Sequence, residues 1–582
     1  MIPGHQDNPL VRLSKASPVR VAPLALSAML MAVVAALLIV PVLMVVGSGF
    51  LYQGRLSPYW FGRIVSNNVL VAQMVNSVLL ACTTTLLSLL LSLPLALVRA
   101  RCRFHGQGVL GVLVLVTMIL PPFVGALSMR HLLGQFGAFN LLLEKIGLLD
   151  FSRSLPPDWL GGGFAGVALL QSLHLFPILY LNASAALANV DPAYAQAARN
   201  LGAGPWRTFF TITLPLIRPG LFAGGTIVFI WSLTDVGTPA VLGYEHLTAV
   251  TIFKELAKES IAPRTYSLAF LMLSGSVTLY VLGKFLFGRG FSAESSKASV
   301  AADIRKLGLL GTLGAWLLFG GVIVLSLLPH AGVVLTAFSA RWVNTVLPSE
   351  YTWRHMQFVV ERSETFNSIL NSLKYAGVST AIDLVLGCLA AWLIVRSKVR
   401  GRTLLDGLTM LPLAVPGLIL ASGLVAMTAK GTWLEDIGPM SNPFIILVAA
   451  YAIRRLPFVV RGVCAGLEQV PESMEEAARN LGASRAGAAL RITAPLIAAN
   501  IIAATVLTFT FAVLEVSDSL ILAQTSEFYP ITKEIYMKAT SGNEDAVNVA
   551  SALGVYGMAL LGGALALASA LLGKRLGAIF RA

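Results

Sequence analysis

Charge is what this 582-residue chain has least of: Asp, Glu, Lys and Arg together make up 12% of it. A soluble domain carries about 25%. Apolar residues reach 56%, and apolar runs of about 20 residues, long enough to cross a bilayer as a helix, recur from end to end. This composition excludes a soluble globular protein. It points to an all-α, polytopic membrane protein. Cysteine is scarce as well. Cys82, Cys102, Cys388 and Cys464 are scattered, with no CxxC and no paired spacing, which leaves neither a disulfide framework nor a metal cluster. Also missing are G-x-x-x-x-G-K-[ST], H-E-x-x-H and G-x-S-x-G. Without them a phosphate-binding loop is excluded and a membrane enzyme ranks last.

The charge that is present leans positive, with a formal net value of +14. In a soluble chain that excess would suggest nucleic acid. Here it sits in short loops between apolar runs, where the positive-inside rule puts it, and no nucleic-acid partner is expected. The polar lead holds Asp7 beside Arg12, Lys15 and Arg20, and the apolar run behind it extends to about Phe50. That run is too long for a signal core and reads as a first span.

Hydropathy predicts about twelve transmembrane helices. Six lie near 24–48, 74–98, 107–130, 163–186, 216–241 and 266–287. Six more lie near 307–338, 372–396, 403–428, 443–466, 496–523 and 547–573. The basic loops Arg99–Arg103, Arg199–Arg218, Lys284–Lys306 and Arg396–Arg402 then fall on one side, together with both termini, which sets that side as cytoplasmic. Residues 1–22 read as a cytoplasmic tail, 23–287 as a first half, 288–305 as a serine-bearing linker and 306–582 as a second half.

The halves are related by duplication. Ala197-Ala198-Arg199-Asn200-Leu201-Gly202-Ala203 recurs letter for letter as Ala477-Ala478-Arg479-Asn480-Leu481-Gly482-Ala483. Ile212-Thr213-Leu214-Pro215 is matched by Ile492-Thr493-Ala494-Pro495, again 280 positions on. Asn76-Ser77 and Asn371-Ser372 open equivalent spans, Pro177 matches Pro457, and the prolines of spans three, four, nine and ten are expected to mark kinks. Six spans per half return the chain to its starting side, so the two homologous halves have parallel orientation. In the second copy Leu467, Val470, Met474, Ala477, Ala478 and Leu481 form one helical stripe; Glu472, Glu475, Glu476 and Arg479 take the remaining surface. Leu187, Val190, Tyr194, Ala197, Ala198 and Leu201 repeat the stripe in the first copy. Gly202 and Gly482 suit helix ends.

The order Glu-Ala-Ala, three residues, Gly, nine residues, Ile-x-Leu-Pro resembles the signature of ABC importer permeases that work with a separate binding protein. Glu476, Ala477, Ala478, Gly482, Ile492 and Pro495 fit it, with Ala494 in place of Leu. Gln196, Ala197, Ala198, Gly202, Ile212, Leu214 and Pro215 fit it with Gln in place of Glu. The chain resembles fused permeases in which one polypeptide replaces a dimer. The resemblance implies that segments 187–215 and 467–495 each present a coupling helix to a cytosolic ATPase subunit, with Arg199 and Arg479 beside the turn. It also implies two copies of that subunit, which carries ATP and Mg, while this chain binds no cofactor. A periplasmic or extracellular solute-binding protein and a bacterial inner membrane complete the expectation. Chain size and the stretch Arg454-Arg455-Leu456-Pro457-Phe458 look like the ferric-iron group. Related groups import 2-aminoethylphosphonate, thiamine, sulfate or polyamines. An ion-coupled secondary transporter is the rival of another class; it has no need of a duplicated cytoplasmic motif.

Charges inside spans cost roughly 2.5 to 3.5 kcal/mol each at a helix centre. Arg454 and Arg455 lie in span ten, where His174 and Leu175 are the first-half equivalents. Asp235 and Glu515 are equivalent in spans five and eleven, and Asp518 lies one turn beyond Glu515. Two readings stay open: a polar translocation path drawing in an anionic solute, or internal pairing of the arginines with Glu515 or Asp518. The carboxylates fall nearer the outer ends of their spans than the arginines do. His174 alone reads as a packing histidine, with no metal role.

Overall fold

The computed structural model describes residues 21–572 apart from 153, 161–162, 259–260, 288–304 and 398. The proposed N-terminal tail up to residue 20 and nearly all of the serine-bearing linker lie outside the described residues. What is described is helical, with three short two-stranded pairs.

The first half runs through α1 (Pro23–Gly49), α2 (Asn68–Arg101), α3 (Gln107–Val116), α4 (Pro122–Leu133), α5 (Phe164–Ala188), α6 (Pro192–Asn200), α7 (Leu214–Thr234), α8 (Gly237–Leu242), α9 (Thr248–Leu256) and α10 (Pro263–Phe287). The second repeats that order as α11 (Leu309–Ala337), α12 (Ser363–Val395), α13 (Arg402–Met410), α14 (Gly417–Met427), α15 (Phe444–Gln469), α16 (Glu472–Asn480), α17 (Ala498–Val513), α18 (Ser517–Leu522), α19 (Ile531–Ala539) and α20 (Glu544–Leu572). Eight described helices are long and apolar enough to cross a membrane, and ten spans result if each bent pair counts once. The other two regions expected as spans are the broken pair α3–α4 and the arginine-bearing α15.

Proline explains the breaks. Pro lacks an N–H and clashes with the preceding turn. α3 gives way before Pro121-Pro122, and the stretch Arg402–Leu413 meets α14 at 97° across Pro416. Third spans are therefore broken rather than straight. Pro177 and Pro457, also expected to kink, sit inside the continuous helices α5 and α15.

Within each half the same three helices pack together: α2, α5 and α7 in one, α12, α15 and α17 in the other. Small residues allow close approach, and they change sides between the halves. Gly220 and Gly224 on α7 face Ala186 and Asn182 on α5; Gly462 and Gly466 on α15 face Ala504 and Asn500 on α17. The Asn-Ser pairs act alike. Asn76 donates to the His246 carbonyl (3.4 Å) and the Ser77 hydroxyl accepts from the Thr248 N–H (2.9 Å), pinning the start of α9. Asn371 donates to the Glu527 carbonyl (2.8 Å) and Ser372 accepts from the Ile531 N–H (2.7 Å), pinning α19. Each half also lends its first helix to the other. α1 packs on α14, where Gly423 meets the backbone of Pro41; α11 packs on α4, where Gly125 meets Pro329.

Candidate functional site

The duplicated segments have one shape. α6 and α16 each end in a turn closed by three backbone hydrogen bonds. Leu201, Gly202 and Ala203 donate to the carbonyls of Ala197, Arg199 and Ala198 at 3.1, 2.9 and 3.0 Å. Leu481, Gly482 and Ala483 donate to Ala477, Arg479 and Ala478 at 3.1, 3.0 and 3.0 Å. The glycines take left-handed φ values of +82° and +96°, as such helix ends require. A Cβ at either would meet nothing within 4 Å, so backbone conformation rather than crowding selects glycine. Leu201 and Leu481 project from the turns at 89% exposure each. Only part of the expected stripe is covered: Leu187, Ala198 and Leu467 are buried, whereas Tyr194 and Met474 are exposed.

What anchors the two segments differs. Glu475, expected on the outer surface, folds inward. It accepts from Arg396 Nε (3.2 Å) and from the Thr493 hydroxyl (2.7 Å). Arg396 also donates to the carbonyls of Leu467 (2.9 Å) and Val470 (2.6 Å). In the first half Arg101 reaches Thr213 directly at 2.7 Å, and Ala195 stands where Glu475 would be. At equivalent positions Glu476 is exposed and Gln196 half-buried. Sequence reasoning passed over Arg101, Arg396 and Glu475. The signal was there: Arg396 follows Arg101 at the 295-residue offset that relates Asn371 to Asn76.

Inside the second half the charges meet. Arg454 donates through Nη1 to Glu515 Oε1 (2.7 Å) and Asp518 Oδ2 (3.1 Å). Arg455 donates through Nη2 to Glu515 Oε2 and to the Phe511 carbonyl (3.1 Å). α17 stops at Val513 and the chain turns, which brings Glu515 and Asp518 back to the depth of the arginines. Both arginines are thus paired with these carboxylates. Asp383 on α12 was not foreseen; it is buried, and neither carboxylate oxygen has a hydrogen-bond partner among the described residues.

The first-half counterparts do something else. Asp235 accepts from Gln171 Nε2 (2.9 Å) and from the N–H of Gly237 (3.0 Å), so it caps α8. Gln171 in turn accepts from Ser232 (2.6 Å) and Thr84 (3.1 Å). Among the described residues no hydrogen bond joins His174 to Asp235, and His174 Nδ1 has no partner. No group of three potential metal ligands occurs among the described residues.

Arg454, Arg455 and Phe458 line one side of a narrow cleft; the α13–α14 break and Ile230, Trp231 and Thr234 of α7 line the other. Trp231 and Phe511, equivalent residues of the two halves, touch edge to face at 5.9 Å. The axis relating the halves therefore passes beside this cleft.

Another interhalf contact lies outside the candidate spans. Lys533 on α19 is buried, donates to the Leu520 carbonyl (2.8 Å), and lies over Tyr529 and Phe253, its own first-half equivalent. Burial brings this ammonium down to about 8. Folding therefore sheds a proton between about pH 8 and the ordinary lysine value, and Lys533 makes stability rise with pH across that window. Lys533→Met is expected to flatten that rise and to raise the thermal midpoint near neutral pH. Unfolding scans of the detergent-solubilised protein at several pH values check this. A midpoint rise across the window that is equal in both proteins would refute it.

A family profile described as "Binding-protein-dependent transport system inner membrane component" matches residues 21–289 and again 383–581, once per half. The chain is 28% identical over 491 residues to the FbpB 1 protein of Haemophilus influenzae, covering 82% of this chain and 74% of that one. It is 27% identical over 479 residues to the ferric transport system permease protein FbpB of Actinobacillus pleuropneumoniae, covering 80% and 67%. The molybdenum transport system permease protein ModB of Escherichia coli matches 170 residues at 36%, which is 28% of this chain and 69% of that protein.

Proposed function

The chain belongs to the family of binding-protein-dependent transport system inner membrane components, and from that premise we propose that it carries ferric iron into the cytoplasm by ATP-driven alternating access. As a permease subunit of that family it is an integral inner-membrane protein. The ion-coupled secondary carrier drops out with the assignment.

One observation supports iron over the anionic alternatives. Arg454 and Arg455 are paired with Glu515 and Asp518. Two carboxylates against two guanidinium groups leave no free positive charge to draw in a phosphonate or sulfate. Ferric transport is the named role of relatives that align with most of this chain. Uptake of radioactive iron should depend on this chain and resist excess 2-aminoethylphosphonate, thiamine, sulfate or spermidine. Competition by any one of them would reassign the cargo.

The driving step is placed on two copies of a separate cytosolic subunit that binds ATP and Mg. Exposed Leu201 and Leu481, with Gln196, Arg199, Glu476 and Arg479 around them, suit insertion into a cleft on each copy. A bent pair at 77° connects the second segment to the spans, so movement of the segment would tilt α17 and the cleft-lining residues with it. A solute-binding protein would deliver iron at the opposite face, with both termini in the cytoplasm. ATPase activity that appears only when a soluble subunit co-purifies would support this arrangement.

A further inference from the structure

Where the second half begins, the chain adds a strand to the first half. β1 (Cys102–Arg103) and β2 (Arg305–Lys306) run parallel, with Cys102 beside Arg305 and Arg103 beside Lys306. The Leu307 N–H donates to the Arg103 carbonyl (3.0 Å), and Trp316 Nε1 donates to the His105 carbonyl (3.0 Å). These bonds form a ledge on which Arg103 stands beside Lys306, with Arg305 next in the chain, and all three are exposed. Like charges set side by side on paired strands repel. Yet none of the three side chains has an ion pair or hydrogen bond among the described residues. Beside the ledge stands an apolar wall. Leu309, Leu310 and Leu313 of α11 are exposed, as are Val109 and Val112 of α3.

We propose that this ledge and wall bind one anionic phospholipid, its phosphate on Arg103, Arg305 and Lys306 and its acyl chains along α3 and α11. Charge complementarity selects the headgroup, since basic groups at the bilayer surface attract anionic lipid. The wall selects a lipid over an acidic protein, which has no use for exposed leucines directly below its carboxylates. Both ends of the stitch belong to different halves, so the bound lipid clamps the two together. It sits at the end of α2 from which Arg101 reaches Thr213, beneath the first duplicated segment.

The full chain, purified in micelles containing equal phosphatidylglycerol and phosphatidylcholine, tests the site by native mass spectrometry. The wild type should retain one phosphatidylglycerol in preference to phosphatidylcholine. The triple variant Arg103→Gln, Arg305→Gln, Lys306→Gln should retain it on the order of a hundredfold less. Single Lys306→Gln, less exposed to misfolding, should show a smaller loss in the same direction. Equal retention by wild type and variants, no preference over phosphatidylcholine, or displacement by inorganic phosphate would overturn the proposal. So would loss of a co-purifying soluble subunit with lipid retention unchanged, which would assign the ledge to a protein.

Discussion

Glu515→Ala should destabilise the protein by roughly 3–5 kcal/mol and abolish transport. Glu515 is the one carboxylate that touches both arginines, and all three side chains are largely buried. Removing it strands Arg455 with a single backbone acceptor and leaves Arg454 to Asp518 alone. An uncompensated buried charge is the expensive outcome, far more so than loss of one hydrogen bond. The partners rank themselves. Asp518 touches only Arg454, so Asp518→Ala should cost less. Asp383 has no hydrogen bond to lose, so Asp383→Asn should be near neutral or stabilising. Pairing Glu515→Leu with Arg455→Met should recover most of the stability, because the charge left behind is then removed too. Denaturant titration of the detergent-solubilised chain measures the series. An Asp383→Asn loss equal to that of Glu515→Ala would show that the cluster is held by overall charge rather than by these contacts.

The same cluster shows how far the sequence could be read. That Arg454, Arg455, Glu515 and Asp518 matter was legible, because charge in an apolar span has to be accounted for. Their contact stayed one of two open readings, because depth was counted along straight helices. α17 ends at Val513, and the turn that follows resets the depth of everything after it. Prolines misled for a related reason. Pro412 and Pro457 look alike in a hydropathy trace, but the chain breaks at the first region and runs on through the second. Neighbours differ: Pro416-Gly417 and Pro121-Pro122 supply a second breaker where the helix stops. The duplication was visible because it is a comparison of the chain with itself. The reciprocal loan of α1 and α11 leaves no such trace, being a contact between segments hundreds of residues apart. Glu475 falls between these cases. On a helical wheel it belongs to the polar face, and only the position of Arg396 at the end of α12 turns it inward.

Gly482→Val should leave the protein inserted and folded yet cut iron uptake severalfold while the assembled complex still hydrolyses ATP. The φ of +96° at Gly482 lies where a β-branched residue does not settle; forcing an L-residue there costs about 1–2 kcal/mol. Nothing lies within 4 Å of the added Cβ, so the strain cannot pass into the bundle and must be relieved by reshaping the turn. That turn fixes the direction of Leu481 and the exit of α16 toward the membrane. Membrane insertion, set by the spans, has no reason to change. Gly202→Val should do more damage still. The second segment keeps its Arg396–Glu475–Thr493 clamp when the turn deforms, whereas the first is tied at this point by Arg101 to Thr213. Glu475→Ala, which makes the second segment resemble the first, should bring the two glycine variants to the same level. Uptake assayed alongside ATP turnover in reconstituted vesicles separates these outcomes. Normal uptake in both glycine variants would mean that the duplicated turns do not transmit the stroke.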